Sequence, residues 1–480
     1  MNNLSSKKVR NDFIDFFKSK EHSFVRSSPV MPIDDETLLF TNAGMNQFKK
    51  IFLGSERPKH KRVVNSQKCI RVSGKHNDLE EVGADKFHHT FFEMLGNWSF
   101  GDFYKKEIIK WSWELLTEVW KLDKNRLWVT VYKNDDEAEK LWKKYTDIDS
   151  NKILKFGNKD NFWEMGDTGP CGPCSEIHYY VGKDLTKQTK HGVNRHDDYR
   201  ELWNLVFVEY NRNSKGDLIE LPLKHVDTGA GLERLVSTLN NTTDHYKTDL
   251  FYPIIKDVEK ISGKDYTYKN GMPHRVIADH LRMVAFSLAD GIMPSNEGRG
   301  YVVRRILRRA IRFGRVLGMK DEFLHILVSR LVKILGEPYP ELLEKKAHIQ
   351  KVIKSEEVSF GKTLDRGLIL FDEIVSSLNS SNITGNDAFK LYDTYGFPLD
   401  LTQLLAKERN LKVDVDSFDT LMLKQKENAR NQSKFSSDTD TDEWVELIHS
   451  NTNSEFIGYN EDEAKSKICM YRKKNNKIEL

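Results

Sequence analysis

Seven arginines fall within residues 298–315, Gly-Arg-Gly-Tyr-Val-Val-Arg-Arg-Ile-Leu-Arg-Arg-Ala-Ile-Arg-Phe-Gly-Arg, with no acidic residue among them. Arg305, Arg308, Arg309 and Arg312 stand at helical spacing on one face, and Val303, Ile306, Leu307 and Ala310 supply a side to bury. A run of charge is usually a solvated face, but lysine is the commoner filler there. Arginine throughout favours phosphate or RNA, because the planar guanidinium fork matches phosphate oxygens. A further arginine, Arg71, stands in a short β-forming run, Ile70 to Val72, that enters a polar loop with turn residues Gly74, Asn77, Asp78 and Gly83. An extended aromatic run, His88–Leu95, follows. The two predict a long-looped antiparallel hairpin with Arg71 on one strand and His88 and His89 on the other. Arg71 could hold a phosphate while Phe91 or Phe92 stacks on a base; the plainer alternative is a paired or solvated arginine. Adjacent histidines on a strand point to opposite faces and are poorly placed to share a metal ion.

Three other constellations carry chemical meaning. Cys171-Gly-Pro-Cys174 has redox or zinc spacing, yet a second pair is absent, only His178 is near, and Pro170 and Pro173 flank it; it reads as a rigid turn. Asp-Thr-Gly occurs at Asp167 and again at Asp227. Paired Asp-Thr-Gly loops also mark aspartic proteases, whose carboxylates share a proton, but the flanks here differ and a pseudo-symmetric dyad would want them alike. Asp227 is followed by Thr-Gly-Ala-Gly. A carboxylate at a glycine-rich bend suits capture of an ammonium group; the alternative is the N-cap of the helix that follows.

These residues must be positioned by a mixed set of elements. Helices are predicted at 6–20, 105–121 (with Asp102 as N-cap) and 135–145. Strands are predicted at 37–45, 127–132, 175–181 and 202–210, and residues 225–239 pass from a glycine bend into a helix. Strands carry the chemistry up to about 244 with no βαβ pattern. That implies an α+β fold, an antiparallel sheet flanked by helices. After 245 helical periodicity takes over, at 274–290, 301–318, 322–335, 341–379 and 386–408. Residues 436–442 read as a linker, and 466–480 as a strand or two without a partner. The 480 residues, 31% charged but with a net charge of only +3, exclude association by bulk field and leave local patches to do the binding. Four cysteines, no signal-peptide core and no membrane-length apolar run predict a cytoplasmic protein.

Seven blocks in order, Leu38–Phe48, Gly74–Glu80, His88–Gly96, Phe162–Glu176, Leu202–Phe207, Asp227–Arg234 and Leu391–Pro398, together resemble the alanyl-tRNA synthetases, a family of class II aminoacyl-tRNA synthetases. The resemblance covers nearly the whole chain. It implies the class II antiparallel sheet over 1–244, a helical domain for the tRNA acceptor stem over 245–460 and the start of a further domain over 461–480. It implies activation of L-alanine by ATP with Mg2+, then transfer to alanine tRNA. In that scheme Arg71 holds the α-phosphate, and His89 lies against the phosphates. Trp163 closes the pocket, and Leu202, Trp203, Asn204 and Gly231 border the nucleotide. Asn204 and Asp227 hold alanine, Arg305 meets the γ-phosphate with Arg304 as its rival, and Asn296 and Asp400 read a G·U pair in the stem. A tRNA-binding paralogue without activation is the alternative; it would be expected to lose Arg71, Asn204 or Asp227, and all three are present.

Family members continue into an editing domain with a zinc site and a last domain on which dimerisation depends. Neither stands in this sequence, so the expectation is a monomer that misacylates. A pocket for a methyl group rejects glycine, or serine with its hydroxyl, only weakly. Seryl-tRNA is therefore expected to accumulate with this chain alone, and its deacylation by the chain would count against that expectation.

Overall fold

Among the described residues a nine-stranded sheet forms the centre of the molecule. This computed structural model describes residues 4–32, 35, 38–73, 76–77, 79, 81–378, 380–395, 397–435, 445–447, 465, 467–474 and 477–479. Thr37, Gly74, Lys75, Asp78, Glu80, Gly396, the side chain of Asp400 and the stretch 436–442, all used in the sequence reading, lie outside the described residues.

The strands are β1 (Ser23–Phe24), β2 (Arg62–Ile70), β3 (Phe91–Phe100), β4 (Leu127–Tyr132), β5 (Ile153–Phe156), β6 (Phe162–Glu164), β7 (Gly169–Tyr180), β8 (Tyr199–Arg212) and β9 (Leu218–Gly231). They lie in the order β1-β2-β3-β9-β8-β7-β4-β5, with β6 against β7. Pairing is antiparallel except for β1–β2 and β4–β5. This is the α+β arrangement expected from the sequence, dominated by antiparallel pairs.

The predicted hairpin is β2–β3, in register from Ile70–Phe91 to Arg62–Ser99, and Arg71 extends it by donating its N–H to Thr90 O at 3.0 Å. The second strand starts at Phe91, later than predicted. Asp85 accepts from the N–H groups of Phe87 and His88 and from His88 Nδ1 at 2.5 Å, and this turn keeps both histidines off the strand. Other expectations also give way. No strand forms in the described part of 37–45: Asn46 Oδ1 accepts from the N–H groups of Asn42 and Ala43 and starts a short 3-10 helix, Gly44–Phe48. Asp102 caps nothing; it pairs with Arg62 at 2.5 Å, and Tyr104 is the N-cap. The Cys171–Cys174 segment is buried strand rather than turn, and neither cysteine is in a disulfide. Two prolines argue against a strand, yet the register slips between Val206 and Tyr210 of β8, and this bulge absorbs them.

Helices cover the sheet. In α1 (Ser6–Ser19) Ser5 caps the N-terminus, while Val9, Phe13 and Phe17 are fully buried on one stripe. Next come α2 (Lys105–Glu114), α3 (Asp136–Tyr145), α4 (Leu232–Leu239) and α5 (Tyr252–Ser262). Then α6 (Met272–Ala289), buried at every residue from His274 onward, packs against α7 (Gly298–Val316). The chain divides into two compact units, Met1–Lys362 and Thr363–Leu480. The change of character near 245 is therefore a change from strands to helices within the first unit. In the second unit, helices Gly385–Tyr395, Leu399–Glu408 and Val415–Phe435 accompany a small sheet in which Val445–Glu446 pairs with Met470–Lys474. That pairing supplies the partner that the sequence reading did not find for the strands after 466. No helix among the described residues is long and apolar enough to cross a membrane.

Beneath the sheet lies a buried charge network. Arg10 of α1 donates to both oxygens of Glu93 at 2.7 Å, and Ser66 Oγ and Tyr339 OH donate to Glu93 Oε2. The Glu93 N–H reaches the Glu233 carboxylate, and Glu233 accepts from Arg282 of α6 at 2.5 Å. Removing one member of such a set strands a charge in the interior, whereas replacing a pair by apolar groups often does not. Glu93→Ala is expected to lower the unfolding free energy by about 3–5 kcal/mol in urea titrations, and Arg10→Met/Glu93→Met to lower it by less.

Candidate active site

Strands β8 and β9 set two polar groups side by side. Val206 pairs with Asp227, and Asn204 with Gly229. Asn204 and Asp227 are thus diagonal neighbours on one face of the sheet. Both line a pocket of about 220 Å3, together with Ala43, Met94, Trp163 and Val206. Directly across the β3–β9 ladder from Asp227 is Trp98, whose Nε1 donates to Asp227 Oδ1 at 2.6 Å. The indole can lie there because residues 44 and 96 lack side chains: a Cβ on Gly96 would sit 2.3 Å from its ring, and one on Gly44 2.6 Å. Burial pushes the Asp227 carboxyl up to about 7, against the single opposing effect of the Trp98 hydrogen bond. Asn204 Nδ2 donates to Glu176 Oε1 at 3.2 Å, which turns the amide so that Oδ1, itself buried, has no hydrogen-bond partner among the described residues. A carboxylate raised by desolvation and an unsatisfied amide oxygen, side by side in an apolar wall, form a receptor for a small cationic donor such as an ammonium group.

The other end of the pocket is basic. Arg71 projects from the end of β2, its Nε donating to Asn42 O at 3.2 Å and its guanidinium 5.0 Å from the Phe92 ring centroid. Arg234, in the first turn of α4, donates to Glu201 at 2.8 Å and to that residue's carbonyl at 3.1 Å. His89 stacks on Phe251 at 4.7 Å, and its Nε2 lies 3.0 Å from His245 Nδ1. Burial first, then the nearby His89, Arg200 and Arg234, hold His245 well below the ordinary histidine range, so it is neutral at pH 7. Behind them α6 and α7 grip the loop that follows Arg71 through its main chain. Arg275 donates to Gly83 O at 2.7 and 2.9 Å, and Arg309 to Val82 O and Leu79 O at 3.1 and 3.4 Å. Arg309 also meets His280 Nε2 at 2.8 Å, and His280 Nδ1 meets Asp279, which accepts from Thr90 N–H at 3.0 Å.

Of the residues expected from the sequence, Arg71, His89, Trp163, Leu202, Asn204, Asp227 and Gly231 all line this pocket. Asp227 is a strand residue, not the helix cap of the alternative reading; Gly231 occupies the N-cap. Trp203 points to the other face of β8, fully buried against Phe13 and Phe17. Arg305 is an exposed residue of α7 outside the pocket lining, and Arg304 hydrogen-bonds Asn296. Nor is the arginine face uniformly solvated: Arg309 and Arg312 are buried, and Arg308 pairs with Glu356 at 2.6 Å. Asn296 is exposed in the turn before α7, and Asp400 lies in the Leu399–Glu408 helix of the second unit. Arg234 was not among the residues expected from the sequence, although it stands in the block that begins at Asp227, because a lone arginine in a helix carries no local signal of its own. Glu176 and Trp98 were missed as well; neither has a local signal, since their roles arise from cross-strand neighbours.

Comparison with known proteins agrees with this geometry. The family described as tRNA synthetases class II (A) matches residues 8–479. The alanine–tRNA ligase of Chlorobium chlorochromatii (strain CaD3) is 51% identical over an alignment covering 99% of this chain and 55% of that protein. That of Chlorobaculum tepidum is 50% identical, covering 99% and 54%. That of Bacteroides thetaiotaomicron is 47% identical, covering 98% and 55%. The chain spans about half the length of the curated relatives it matches.

The raised Asp227 has a consequence for stability. Its folded value of about 7 lies above the ordinary 3.8, so folding favours the protonated acid. Its contribution is most favourable below pH 4 and is lost as pH rises towards 7, by up to about 4 kcal/mol. Buried histidines such as His22 and His225, pushed down to about 4 by burial, act in the opposite direction. The comparison that isolates Asp227 is therefore with Asp227→Asn, whose stability relative to the parent is expected to increase between pH 4 and 7 in chemical denaturation and then level off.

Proposed function

The chain belongs to the class II tRNA synthetases, a family that uses ATP, and on that basis we propose that it activates L-alanine to alanyl-adenylate and transfers the alanine to the 3'-terminal adenosine of alanine tRNA. The observation that carries this reading is the pair formed by Asp227 and the unsatisfied Asn204 Oδ1 at one end of a pocket whose other end holds Arg71 and Arg234. An amino acid docked with its ammonium on that pair presents its carboxylate towards the arginines, and Val206, Met94 and Ala43 leave apolar room for a small side chain.

The chemistry asks little covalent work of the protein. A carboxylate oxygen of alanine attacks the α-phosphorus of ATP, and the bond to the bridging β-phosphate oxygen breaks. Pyrophosphate leaves with the electron pair, and no proton moves. Catalysis is then positioning plus stabilisation of phosphate charge. Arg71 serves the α-phosphate, with Phe92 beneath it. Arg234 takes the γ-phosphate role that the sequence reading gave to Arg305, since it lines the pocket and Arg305 does not. Neutral His245 holds His89 beside the phosphates without adding a charge. Mg2+ would come in on the triphosphate, and Glu201 is a pocket carboxylate that would share it. Magnesium would supply charge neutralisation at the phosphates.

In this reading residues 1–244 carry the chemistry and helices after 245 meet the acceptor stem. Arg305, an exposed residue of α7, fits better on that side than at the γ-phosphate. Alanine-dependent ATP–pyrophosphate exchange tests the reading, with serine, glycine and aspartate compared. Exchange is expected to be strongest with alanine. Asp227→Ala is expected to lower kcat/KM for alanine by at least about 100-fold, and Arg234→Ala to slow exchange far more than Arg305→Ala. Absence of exchange with every amino acid, from folded protein that binds tRNA, would favour the binding paralogue.

A further inference from the structure

Asp227 is oriented by one side chain among the described residues. Two residues stand directly opposite it in the sheet, Val206 on β8 and Trp98 on β3. Val206 has no side-chain group to donate, and the indole N–H of Trp98 reaches Oδ1 at 2.6 Å. The Cβ–Cγ torsion of an aspartate is soft, so a carboxylate in an apolar wall keeps its plane only where a donor holds it. With Oδ1 taken, Oδ2 is the oxygen left for the pocket that Asp227 lines. The same bond is the single effect that works against burial to keep the acid charged. The plainer account is a buried indole that needs an acceptor. This chain does not demand one: the Nε1 atoms of Trp120 and Trp203, both buried residues, have no hydrogen-bond partner among the described residues. The indole of Trp98 is instead aimed. Its ring edge fills the room left by Gly44 and Gly96, where an added Cβ would stand 2.6 and 2.3 Å away, and Phe48 packs against it with ring centroids 4.9 Å apart. These contacts fix a ring that is itself fully buried, and through it the carboxylate.

We propose that Trp98 is a positioning residue for amino-acid binding: it holds Oδ1 of Asp227 so that Oδ2 meets the ammonium group of the substrate. The proposal rests on the reading of the pocket as an amino-acid site. The indole acts on the group that every α-amino acid carries, not on the side chain, whose apolar room is set by Val206, Met94 and Ala43. Trp98 therefore raises affinity for alanine, serine and glycine by one common factor and leaves the choice among them to that wall. It leaves ATP alone, since the arginines proposed to face phosphate stand at the other end of the pocket.

The test is calorimetric titration of the parent chain and of Trp98→Phe, which keeps a ring and loses the N–H, with L-alanine, L-serine, glycine and ATP in the presence of magnesium. Alanine-dependent ATP–pyrophosphate exchange by both is measured in parallel. Trp98→Phe is expected to weaken all three amino acids alike, by about tenfold, the loss that follows from removing one hydrogen bond to a buried charged group. ATP affinity is expected to stay unchanged. In exchange, KM for alanine is expected to rise by the same factor while kcat holds. If Trp98→Phe does not melt cooperatively, Gly44→Ala takes its place: its Cβ pushes the indole, and the N–H with it, off Asp227, and the same common loss is expected. Unchanged amino-acid affinity would overturn the proposal. So would unequal losses for the three amino acids, which would mean that the ring only shapes the side-chain wall, or an equal loss for ATP, which would mean a general disturbance of the fold. A parent that binds the amino acids through Trp98 but shows no exchange would overturn the activation reading and leave the positioning role standing. A parent that binds none of them would overturn both.

Discussion

Two acids and two arginines sealed under the sheet hold the pocket in place. Glu93 belongs to β3 and Glu233 to the first turn of α4, and the N–H of one residue meets the carboxylate of the other. Arg10 closes the network on the side of α1, and Arg282 on the side of α6. The N-terminal helix, a central strand, the helix after β9 and the most buried helix of the unit thereby share one charge balance. Glu233 also lines the pocket and precedes Arg234. Arg234 is therefore carried on a turn whose preceding side chain cannot move without exposing a charge to the interior. Rigidity at the reacting end comes from electrostatic closure beneath it rather than from the loops around it.

The pocket itself divides labour by dielectric. At one end a carboxylate has lost its water and has gained only an indole N–H. At the other, Arg71 and Arg234 stand beside Glu201 and Glu233. In the proposed reading a zwitterion docks with its positive group towards Asp227 and its negative group towards Arg71 and Arg234. The Asp227 end is not satisfied by the protein alone, since the neighbouring Asn204 Oδ1 has no hydrogen-bond partner among the described residues, and binding energy there is drawn from the ligand's charge rather than from its size.

Much of this was legible in the sequence, for identifiable reasons. The α1 stripe, the β2–β3 hairpin and the helical character after 245 follow from periodicity, which the chain displays openly. Asp227 was legible because glycines surround it, and Arg71 because a turn-rich loop follows it. The errors share a cause: each concerned a residue whose role is decided across strands or by a competing partner. Pro170 and Pro173 look like a turn until a bulge opposite them is known. Asp102 looks like a cap until Arg62, forty residues away in sequence, claims it. Trp203 was expected to face the nucleotide with its neighbours Leu202 and Asn204, but a β-strand sends it to the other side. Arg234, a lone arginine in its helix, carries no local signal, and of the seven arginines in the later helix two turned out to be buried supports.

Arg275 and Arg309 hold the segment after Arg71 through main chain, at the carbonyl oxygens of Leu79, Val82 and Gly83. A carbonyl is the same chemical group whatever residue bears it. Helices α6 and α7 therefore fix the path of this loop through groups that every residue carries, although Gly83, with φ 89° and Val276 where a Cβ would stand, is itself required there. Mutational drift can rewrite the loop's outer face, and with it whatever it meets in solution, while the position of Arg71 stays under the control of residues two hundred positions downstream.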